Sequence, residues 1–307
     1  MKMIEVKNLV KNYEHKEAVK GISFTVEEGK FFAFLGENGA GKSTTINILA
    51  TLLKKNAGEV RINGYLLDKK DHLIRKDIGI VFQQNMLDEF LSVRENLLCR
   101  GELYGYSKKE INLHIKELSI KIGIEEILDR KYGKLSGGQK RRADIARALI
   151  CKPKILILDE PTTGLDPYTR KNVWDCIMEL RKEQSLTLFL TTHYMEEAAN
   201  ADQIIIIDKG KILENDTPLN LKIKYSSDKL YIYPKDKAEL LKRFSLTKYT
   251  VESEEGKIVL HIKNNLDAIE IVSKLKNDIL GFELLKGNLD QVFMTLIEKN
   301  SMEGKNA

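Results

Sequence analysis

A glycine-rich segment between an apolar run and a helical pattern constrains the fold of this chain most. Residues 36–44 read GENGAGKST and fit the pattern G-x-x-x-x-G-K-[ST]. Phe31–Leu35 before this segment is apolar throughout, as in a buried strand, and residues 45–50 after it continue as a helix. The segment therefore stands at a strand-to-helix turn, which is the context that a phosphate-binding loop requires.

Phosphate is the ligand that such a turn favours. Glycines let backbone amides curl around phosphate oxygens without a Cβ in the way, and the helix N-terminus adds positive potential. We expect Lys42 to reach the β- and γ-phosphates and Ser43 to offer its hydroxyl to Mg²⁺. The alternative is a glycine-rich turn that binds nothing, and the flanking strand and helix argue against it. The candidate ATP-binding residues here are Gly36, Glu37, Asn38, Gly39, Ala40, Gly41, Lys42, Ser43 and Thr44.

Two acidic residues follow a second apolar run. Residues 155–158 read ILIL, as expected for a central parallel strand that is covered on both faces. Asp159 stands at the carboxyl end of this strand, where ligands bind in open α/β sheets, and we expect it to hold Mg²⁺. Glu160 points elsewhere and can polarise a water for attack on the γ-phosphate. Two surface acids at a strand end are the alternative.

Two further segments carry a family resemblance. Residues 135–139 read LSGGQ, followed at once by a helical pattern, and residues 156–167 read LILDEPTTGLDP. Over roughly residues 2 to 220 the chain closely resembles the ATP-binding cassette (ABC) ATPases. The resemblance implies a head-to-tail homodimer, or a dimer with a close paralogue, with two ATP molecules between the phosphate loop of one subunit and LSGGQ of the other. The residues implied for this second contact are Ser136, Gly137, Gly138 and Gln139.

The resemblance assigns roles to four more positions. Gln83 matches the glutamine that contacts Mg²⁺ or the attacking water, although Gln84 is adjacent and the assignment depends on register. Asp166 matches the polar contact of the loop that crosses the dimer interface. His193, after an apolar strand, matches the histidine that contacts the γ-phosphate and positions water, whereas a lone histidine there is usually structural. Tyr13 matches the aromatic that stacks on adenine; the alternative is a half-buried strand tyrosine.

Composition and hydropathy predict a soluble protein. The chain has 307 residues, a length that is enough for two domains. Of these residues 42% are hydrophobic and 31% are charged, and the formal net charge is +5. It shows no apolar stretch long enough to span a bilayer and opens on an alternating strand pattern, so we expect no signal peptide. We expect a cytoplasmic protein that is peripheral at the inner face of the membrane. The basic residues 140–142 form a short run, interpreted as solvated or phosphate-facing, and no direct nucleic-acid binding is expected.

A helical subdomain is predicted at about residues 84–135. Ser92 with Glu95, and Ser107 with Glu110, fit capping boxes that each open a helix. Residues 86–91, MLDEFL, lie before the first cap and place four large apolar side chains close to the surface. We call this segment the docking lip, because it can form the edge of a groove for a short helix of a membrane subunit. A satellite core cluster is the alternative.

The order of predicted helices and strands changes after residue 226. Residues 227–307 read as strand, helix, strand, strand, helix, strand and a last helix, and we assign them to a small α+β domain with the βαββαβ, ferredoxin-like order. Residues 1–226 form the ABC ATPase domain. The segment NLDQVF at residues 288–293 resembles the tail of ABC ATPases of the daunorubicin-resistance type. The fold class is therefore α/β for the P-loop domain, with a regulatory or contact domain after it.

These observations predict the ATP-hydrolysing subunit of an ABC membrane transporter, an exporter, that works with ATP and Mg²⁺. The transmembrane permease would be a separate subunit, since this chain carries no span of its own. The alternative is a soluble ABC ATPase that acts on ribosomes or nucleic acid; relatives of that kind usually carry two cassettes per chain, whereas this chain has one phosphate loop. A catalytically dead interaction module is disfavoured because Lys42, Asp159, Glu160 and His193 are all present.

Overall fold

The structure, a computed structural model, describes residues 1–14, 16–245, 249–262 and 265–303. The chain divides into two compact units, Met1–Asp216 and Thr217–Ala307. The last four residues of the predicted C-terminal domain, 304–307, lie outside the described residues. In the part of the chain that is described, none of the helices combines the length and the apolar character that crossing a bilayer requires.

Two sheets and a set of helices build the first unit. Its described strands are β1 (Lys2–Tyr13), β2 (Lys16–Glu27), β3 (Phe31–Leu35), β4 (Ala57–Ile62), β5 (Tyr65–Leu66), β6 (Ile78–Val81), β7 (Ile155–Asp159), β8 (Thr187–Thr192), β9 (Gln203–Asp208) and β10 (Lys211–Asp216). Its described α-helices are α1 (Lys42–Leu49), α2 (Asp71–Asp77), α3 (Val93–Leu103), α4 (Lys108–Ile122), α5 (Gly137–Leu149), α6 (Pro167–Gln184) and α7 (Met195–Ala198).

The larger sheet sets the position of the motifs. Its order is β10-β9-β3-β8-β7-β6, and all pairs are parallel except β9 with β10. The segments after β3, β6, β7 and β8 therefore emerge at one edge, where the carboxyl ends of the strands meet. The other sheet, β2-β1-β4-β5, is antiparallel.

The apolar runs of the sequence become the buried centre of this unit. Every residue of β3 and β7 is buried, as expected for parallel strands with both faces covered. Four aromatic rings, Phe24, Phe32, Phe34 and Phe189, pack together with centroid distances of 5.3 to 6.1 Å. Because these rings come from β2, β3 and β8, they join the two sheets and fix the strand that leads into the phosphate loop.

Both predicted capping boxes are confirmed. Ser92 begins α3 and Ser107 begins α4, and each hydroxyl accepts from the backbone N–H three residues on while the glutamate there accepts in return. Four apolar residues at helical spacing on α4 are buried: Ile111, Ile115, Leu118 and Ile122. Sequence patterns alone thus locate the helices of this region.

The docking lip is only partly as predicted. Phe90 is 83% exposed and Met86 is 53% exposed, but Leu87 is buried at 8%. Leu87 turns inward because the next residue is held on α3: the Asp88 amide donates to Asn96 Oδ1 at 2.8 Å, and Asn96 Nδ2 donates to the Asp88 carbonyl at 3.0 Å. The prediction that all four apolar side chains lie near the surface is therefore wrong for Leu87.

The second unit has its own sheet and core. Its described elements are α8 (Pro218–Tyr225), β11 (Asp228–Pro234), α9 (Lys237–Phe244), β12 (Thr250–Glu254), β13 (Lys257–Ile262), α10 (Asn265–Lys274), β14 (Ile279–Leu285) and α11 (Leu289–Glu303). The strands form one antiparallel sheet in the order β12-β13-β11-β14. Buried residues of α9 and α10, among them Leu240 and Ile271, pack on Leu230, Ile232 and Leu260 of the sheet.

The division between the units falls before α8, whereas the sequence predicted a boundary after it. Helix α8 packs on α11 of its own unit: Thr295 Oγ1 donates to the Tyr225 carbonyl at 3.2 Å, and Lys299 Nζ lies 5.1 Å from the centre of the Tyr225 ring. Leu221 of α8 is fully buried. The Thr217 cap and the Pro218 at the helix start, both visible in the sequence, therefore open an element of the second unit.

Candidate nucleotide-binding site

A cavity of about 540 Å³ lies at the carboxyl edge of the larger sheet. The residues that line it come from the end of β1, the start of β2, the phosphate loop and the segments after β6, β7 and β8. They are Tyr13, Lys16, Ala18, Asn38, Gly39, Gly41, Lys42, Ser43, Thr44, Gln83, Glu160, Thr163 and His193. Residues that are far apart in sequence thus meet around one space.

The phosphate loop closes around the side chain of Lys42. This side chain is buried, and Nζ donates to the carbonyls of Gly36 at 2.6 Å and Glu37 at 3.0 Å. Burial lowers the pKa of Lys42, and the nearby carboxylates of Glu160 and Asp159 oppose this effect. The first-turn N–H groups of α1 have no acceptors within the helix, so cation and amides together form an anion-binding cradle.

Two glycines of the loop allow close approach of backbone from neighbouring strands. A Cβ on Gly36 would lie 2.5 Å from the Ile207 carbonyl oxygen, and a Cβ on Gly41 would lie 2.6 Å from that of Ala18. Gly41 also has φ of 112°, which favours glycine. The loop therefore packs directly on β9 and β2, and its shape is fixed from outside as well as by its own sequence.

Asp159 lies at the end of β7 and is buried at 9% exposure. Its Oδ1 accepts from Thr191 Oγ1 at 2.5 Å, because Asp159 and Thr191 are register partners on adjacent parallel strands. Burial raises the pKa of Asp159 above its usual range, and the Thr191 hydroxyl opposes this shift. A bound cation would favour the ionised form and relieve the penalty of burying the charge.

Glu160 is the point at which the predicted catalytic residues converge. Its Oε2 lies 3.2 Å from Gln83 Nε2, 3.3 Å from His193 Nδ1 and 3.2 Å from Thr163 Oγ1. The Glu160 backbone has φ of 47°, which is uncommon for a residue with a Cβ, and its amide donates to the Thr191 carbonyl at 2.9 Å. All three neighbours contact the same oxygen, so the other carboxylate oxygen can accept a proton from water.

Tyr13 stands at the rim of the cavity. Its side chain is 45% exposed, and Lys11 Nζ lies 5.3 Å from the ring centre. An exposed ring at this position can stack on a planar base. Lys16 and Ala18 also line the rim, although no sequence pattern marked them. The pairing of Tyr13 with Lys16 in the β1–β2 hairpin brings them there.

The LSGGQ segment and Asp166 do not line this cavity, as far as the described residues show. Ser136 opens α5 with a capping box in which Ser136 Oγ accepts from the Gln139 amide and Gln139 Oε1 accepts from the Ser136 amide. Asp166 caps α6 by accepting from the Thr169 amide at 3.0 Å, and hydrogen bonds from Thr169 lower the pKa of Asp166. Helix capping thus explains the local hydrogen bonds of Ser136, Gln139 and Asp166. The backbone N–H groups of Gly137 and Gly138 lie at the N-terminus of α5.

Three further residues of the site region were missed or misread in the sequence. Thr163 contacts Glu160, and Thr191 holds Asp159; both are threonines beside a recognised motif, and only the fold shows which hydroxyl reaches which carboxylate. Arg141 was grouped with its neighbours as a solvated or phosphate-facing residue. This interpretation is wrong for Arg141, which is 5% exposed and donates to backbone carbonyls around Glu160.

Comparisons with known proteins agree with this geometry. A family profile described as ABC transporter matches residues 19–163. The daunorubicin/doxorubicin resistance ATP-binding protein DrrA of Streptomyces peucetius is 36% identical over 304 residues, covering 95% of this chain and 92% of that protein. The Nod factor export ATP-binding protein I of Rhizobium sp. (strain N33) is 40% identical over 216 residues, covering 70% of this chain and 71% of that protein.

Solved structures share the fold of about 70% of this chain. A dimeric bacterial ABC transporter cassette superimposes with a TM-score of 0.64 at 32% identity, covering 70% of this chain and 98% of the solved chain. An ATP-binding cassette in a dimeric post-hydrolysis state, bound to ADP and phosphate, superimposes equally well at 31% identity. A relative at 36% identity over nearly the full length of both chains is decisive. This chain belongs to the ATP-hydrolysing, ATP-binding proteins of the ABC transporter family.

Proposed function

We propose that this protein is the ATPase subunit of an exporter and that it drives transport through a separate transmembrane permease. The observation that carries the proposal is the convergence of Gln83, His193 and Thr163 on one carboxylate oxygen of Glu160 beside the Lys42 loop. The names of the relatives described above, which are resistance and export proteins, support export over action on ribosomes or nucleic acid. The burial of Arg141 also weakens the case for a nucleic-acid patch at residues 140–142.

Each residue then has a role that its position supports. The Lys42 ammonium and the first-turn amides of α1 hold the β- and γ-phosphates, and Tyr13 stacks on the base. Glu160 accepts a proton from the attacking water, while His193 orients the water and the γ-phosphate. The side-chain amide of Gln83 contacts the Glu160 carboxylate. Because γ-phosphate transfer requires little covalent chemistry from the protein, positioning and charge account for most of the catalysis.

The residues that would hold Mg²⁺ are Ser43, Gln83 and Asp159. All three offer oxygen ligands, a hydroxyl, an amide carbonyl and a carboxylate, which is the chemistry that Mg²⁺ prefers. The Asp159 carboxylate is buried and burial raises its pKa, so a bound cation would favour its ionised form and the site fits a cation. A bound Mg²⁺ would neutralise phosphate charge during transfer of the γ-phosphoryl group to water, with ADP as the leaving group.

Two copies of the chain are proposed to share two nucleotides. The amides of Gly137 and Gly138 and the Ser136 hydroxyl form a second anion nest at the α5 N-terminus, away from the cavity of the same chain. A second nest is useful if it completes the site of a partner subunit. Asp166, at the start of α6, would meet the partner at the same interface. The dimeric state of the solved cassettes supports this arrangement.

The docking lip is the proposed contact with the permease, which would place the protein at the cytoplasmic face of the membrane. The lip begins three residues after Gln83, so a force on it acts on the segment that carries a catalytic residue. Phe90 at 83% exposure and Met86 at 53% offer apolar surface to a short helix. Asp88 supplies rigidity, since it is hydrogen-bonded to α3 through Asn96.

Replacing Phe90 by serine tests this contact. We expect the affinity for membranes that contain the permease to fall by about tenfold or more, because a truncated aromatic anchor commonly contributes over 1.4 kcal/mol. Co-sedimentation of the purified protein with such membranes measures the loss, and permease-stimulated ATP hydrolysis should fall with it. Leu103→Ser is the matched control, since Leu103 is 80% exposed in the same region but lies outside the lip. Equal losses in both variants would refute a specific lip.

We further propose that the second unit is a ferredoxin-like domain that steadies the dimer or the membrane complex. Its elements run β11-α9-β12-β13-α10-β14, and the sheet order β12-β13-β11-β14 supports that assignment. The proposed domain boundary moves to Asp216, because α8 packs with α11.

A chain ending at Asp216 is expected to stay folded and to bind ATP within about twofold of the full-length affinity, since each unit has its own core. Nucleotide titration and light scattering check this expectation. Dimerisation and permease-stimulated hydrolysis should weaken if the second unit steadies the assembly. A truncated chain that aggregates would contradict the boundary, and one with full dimerisation and stimulation would contradict the role.

A further inference from the structure

Arg141 lies on α5, five residues after Ser136, with its guanidinium inside the protein. Nη1 donates to the Phe82 carbonyl at 2.5 Å, Nη2 donates to the Glu160 carbonyl at 2.9 Å, and Nε donates to the Pro161 carbonyl. All three nitrogens of one planar group therefore bond to backbone, and the side chain is 5% exposed. Arg141 does not line the nucleotide cavity among the residues described.

The acceptors belong to the two segments that deliver the reactive side chains. Phe82 directly precedes Gln83, while Glu160 and Pro161 form the turn after β7. The guanidinium thus bridges the backbone of the Gln83 segment and the backbone of Glu160 itself. A shift in either backbone would change the contact between Gln83 Nε2 and Glu160 Oε2, which is 3.2 Å in this structure.

The far end of the Gln83 segment is also attached to α5. The Met86 amide donates to Asp144 Oδ1 at 3.3 Å, and Asp144 Oδ2 accepts from Tyr132 Oη at 2.8 Å. Asp144 is one helical turn after Arg141 and is 2% exposed. Residues 82–86 are therefore held at both ends by the helix that begins at the LSGGQ segment.

Burial penalises the Arg141 cation and lowers its pKa, and the Asp144 carboxylate gives the largest opposing interaction. The three hydrogen bonds to backbone carbonyls and this nearby negative charge together hold the guanidinium in place. A lysine at this position would keep the charge but could not present a planar fork to three carbonyls. Arg142, the next residue, instead donates to the Gly123 carbonyl at 2.9 Å near the surface.

We propose that Arg141 is a positioning residue that makes the LSGGQ helix, the Gln83 segment and the Glu160 turn move as one body. The inference rests on the proposed hydrolysis at Glu160 and deepens it. Since LSGGQ is proposed to contact the nucleotide of the partner subunit, Arg141 connects the partner's site with the reactive groups of its own chain. Arg141 therefore affects the turnover of ATP and the communication between the two nucleotide sites. Nucleotide binding by the phosphate loop does not depend on Arg141.

Arg141→Lys in the full-length chain tests the proposal, with Arg142→Lys as the matched control. We expect kcat to fall by about 10- to 100-fold, the usual effect of a displaced catalytic group, while the Kd for ATP stays within about twofold. The Hill coefficient of ATP hydrolysis should fall toward one. In hydrogen–deuterium exchange, peptides covering residues 82–86 and 160–163 should exchange faster together. Arg142→Lys should leave all four quantities unchanged.

The outcomes separate this inference from the proposed function. If the wild-type chain hydrolyses no ATP, the proposed function fails first. If it does, and folded Arg141→Lys keeps the wild-type kcat, the positioning role is refuted; equal losses in kcat and ATP affinity would refute it too, because a general structural defect produces both. Should Arg141→Lys have a much lower melting temperature, Arg141→Gln is compared under stabilising conditions. Exchange that rises throughout the first unit would then overturn the proposal, and a rise confined to the two peptides would support it.

Discussion

Glu160→Gln is expected to bind ATP normally and to hydrolyse it about 10² to 10⁴ times more slowly, which is the usual contribution of a positioned general base. Glutamine has nearly the same shape as glutamate, so it should retain neighbours such as Thr163 and His193 around the side chain. It cannot, however, accept the proton of the attacking water. Because binding is retained and turnover is not, ATP-bound dimers should accumulate and appear in size-exclusion chromatography coupled to light scattering.

A control separates this effect from a general loss of negative charge. Glu196→Gln removes an exposed carboxylate on α7 outside the cavity and should keep the wild-type rate. Single-turnover measurements with Glu160→Gln would show whether the chemical step itself has slowed. A Glu160→Gln protein that turns over ATP at the original rate would remove the assignment of Glu160 as the base.

Lys42→Ala is expected to weaken ATP binding by about 100-fold or more, since removing a charged donor from a buried site costs about 3 kcal/mol. The substitution also leaves the carbonyls of Gly36 and Glu37, which now accept from Nζ, without that donor. Fluorescence titration of the monomer with a nucleotide measures the loss. A melting curve recorded alongside shows whether the loop has remained folded.

Ser136→Arg is the contrasting variant. Ser136 lies outside the cavity of its own chain, so monomeric Ser136→Arg should bind ATP within about twofold of the wild-type Kd. It should fail to form ATP-bound dimers and should lose about two orders of magnitude or more in hydrolysis, because the partner's site lacks its second nest. An equal loss of monomer affinity in Lys42→Ala and Ser136→Arg would contradict the shared-site dimer.

Features that depend on a few neighbouring residues were predictable from the sequence. The phosphate loop, the capping boxes at Ser92 and Ser107, and the buried strand before Asp159 each satisfy their hydrogen bonds or bury their side chains within a short segment. Local propensity and local contacts agree in these segments, so the sequence pattern is sufficient to predict their structure. The roles of Gln83 and His193 followed only from the family resemblance, and their contacts with Glu160 were not predicted, because strand order cannot be read from periodicity.

Features that depend on the direction of a side chain were not predictable. An α-helix turns by about 100° per residue, so three consecutive basic residues point in three directions. Which of them points inward is decided by where α5 packs on β6, and this buries Arg141 while Arg142 bonds near the surface. Leu87 was misplaced for the same reason, since its orientation follows from the attachment of Asp88 to α3.

Long-range register explains the remaining omissions. Thr191 reaches Asp159 because β7 and β8 are neighbours in the sheet and these two residues are aligned. The sequence shows two threonines before His193 but not which carboxylate they face. The predicted boundary and the division between the compact units differ by helix α8 for a similar reason, because the helix start is defined locally by Thr217 and Pro218 while the contact with α11 is long-range.

The packing of the phosphate loop on strands β2 and β9 changes how inherited or laboratory variants of this chain should be interpreted. Any side chain at Gly36 or Gly41 collides with backbone from another part of the protein, whereas a Cβ on Gly39 meets nothing within 4 Å. An inactive variant at Gly36 or Gly41 is therefore ambiguous between failed folding and failed chemistry. Protein abundance, measured alongside activity, is what distinguishes the two explanations at these positions.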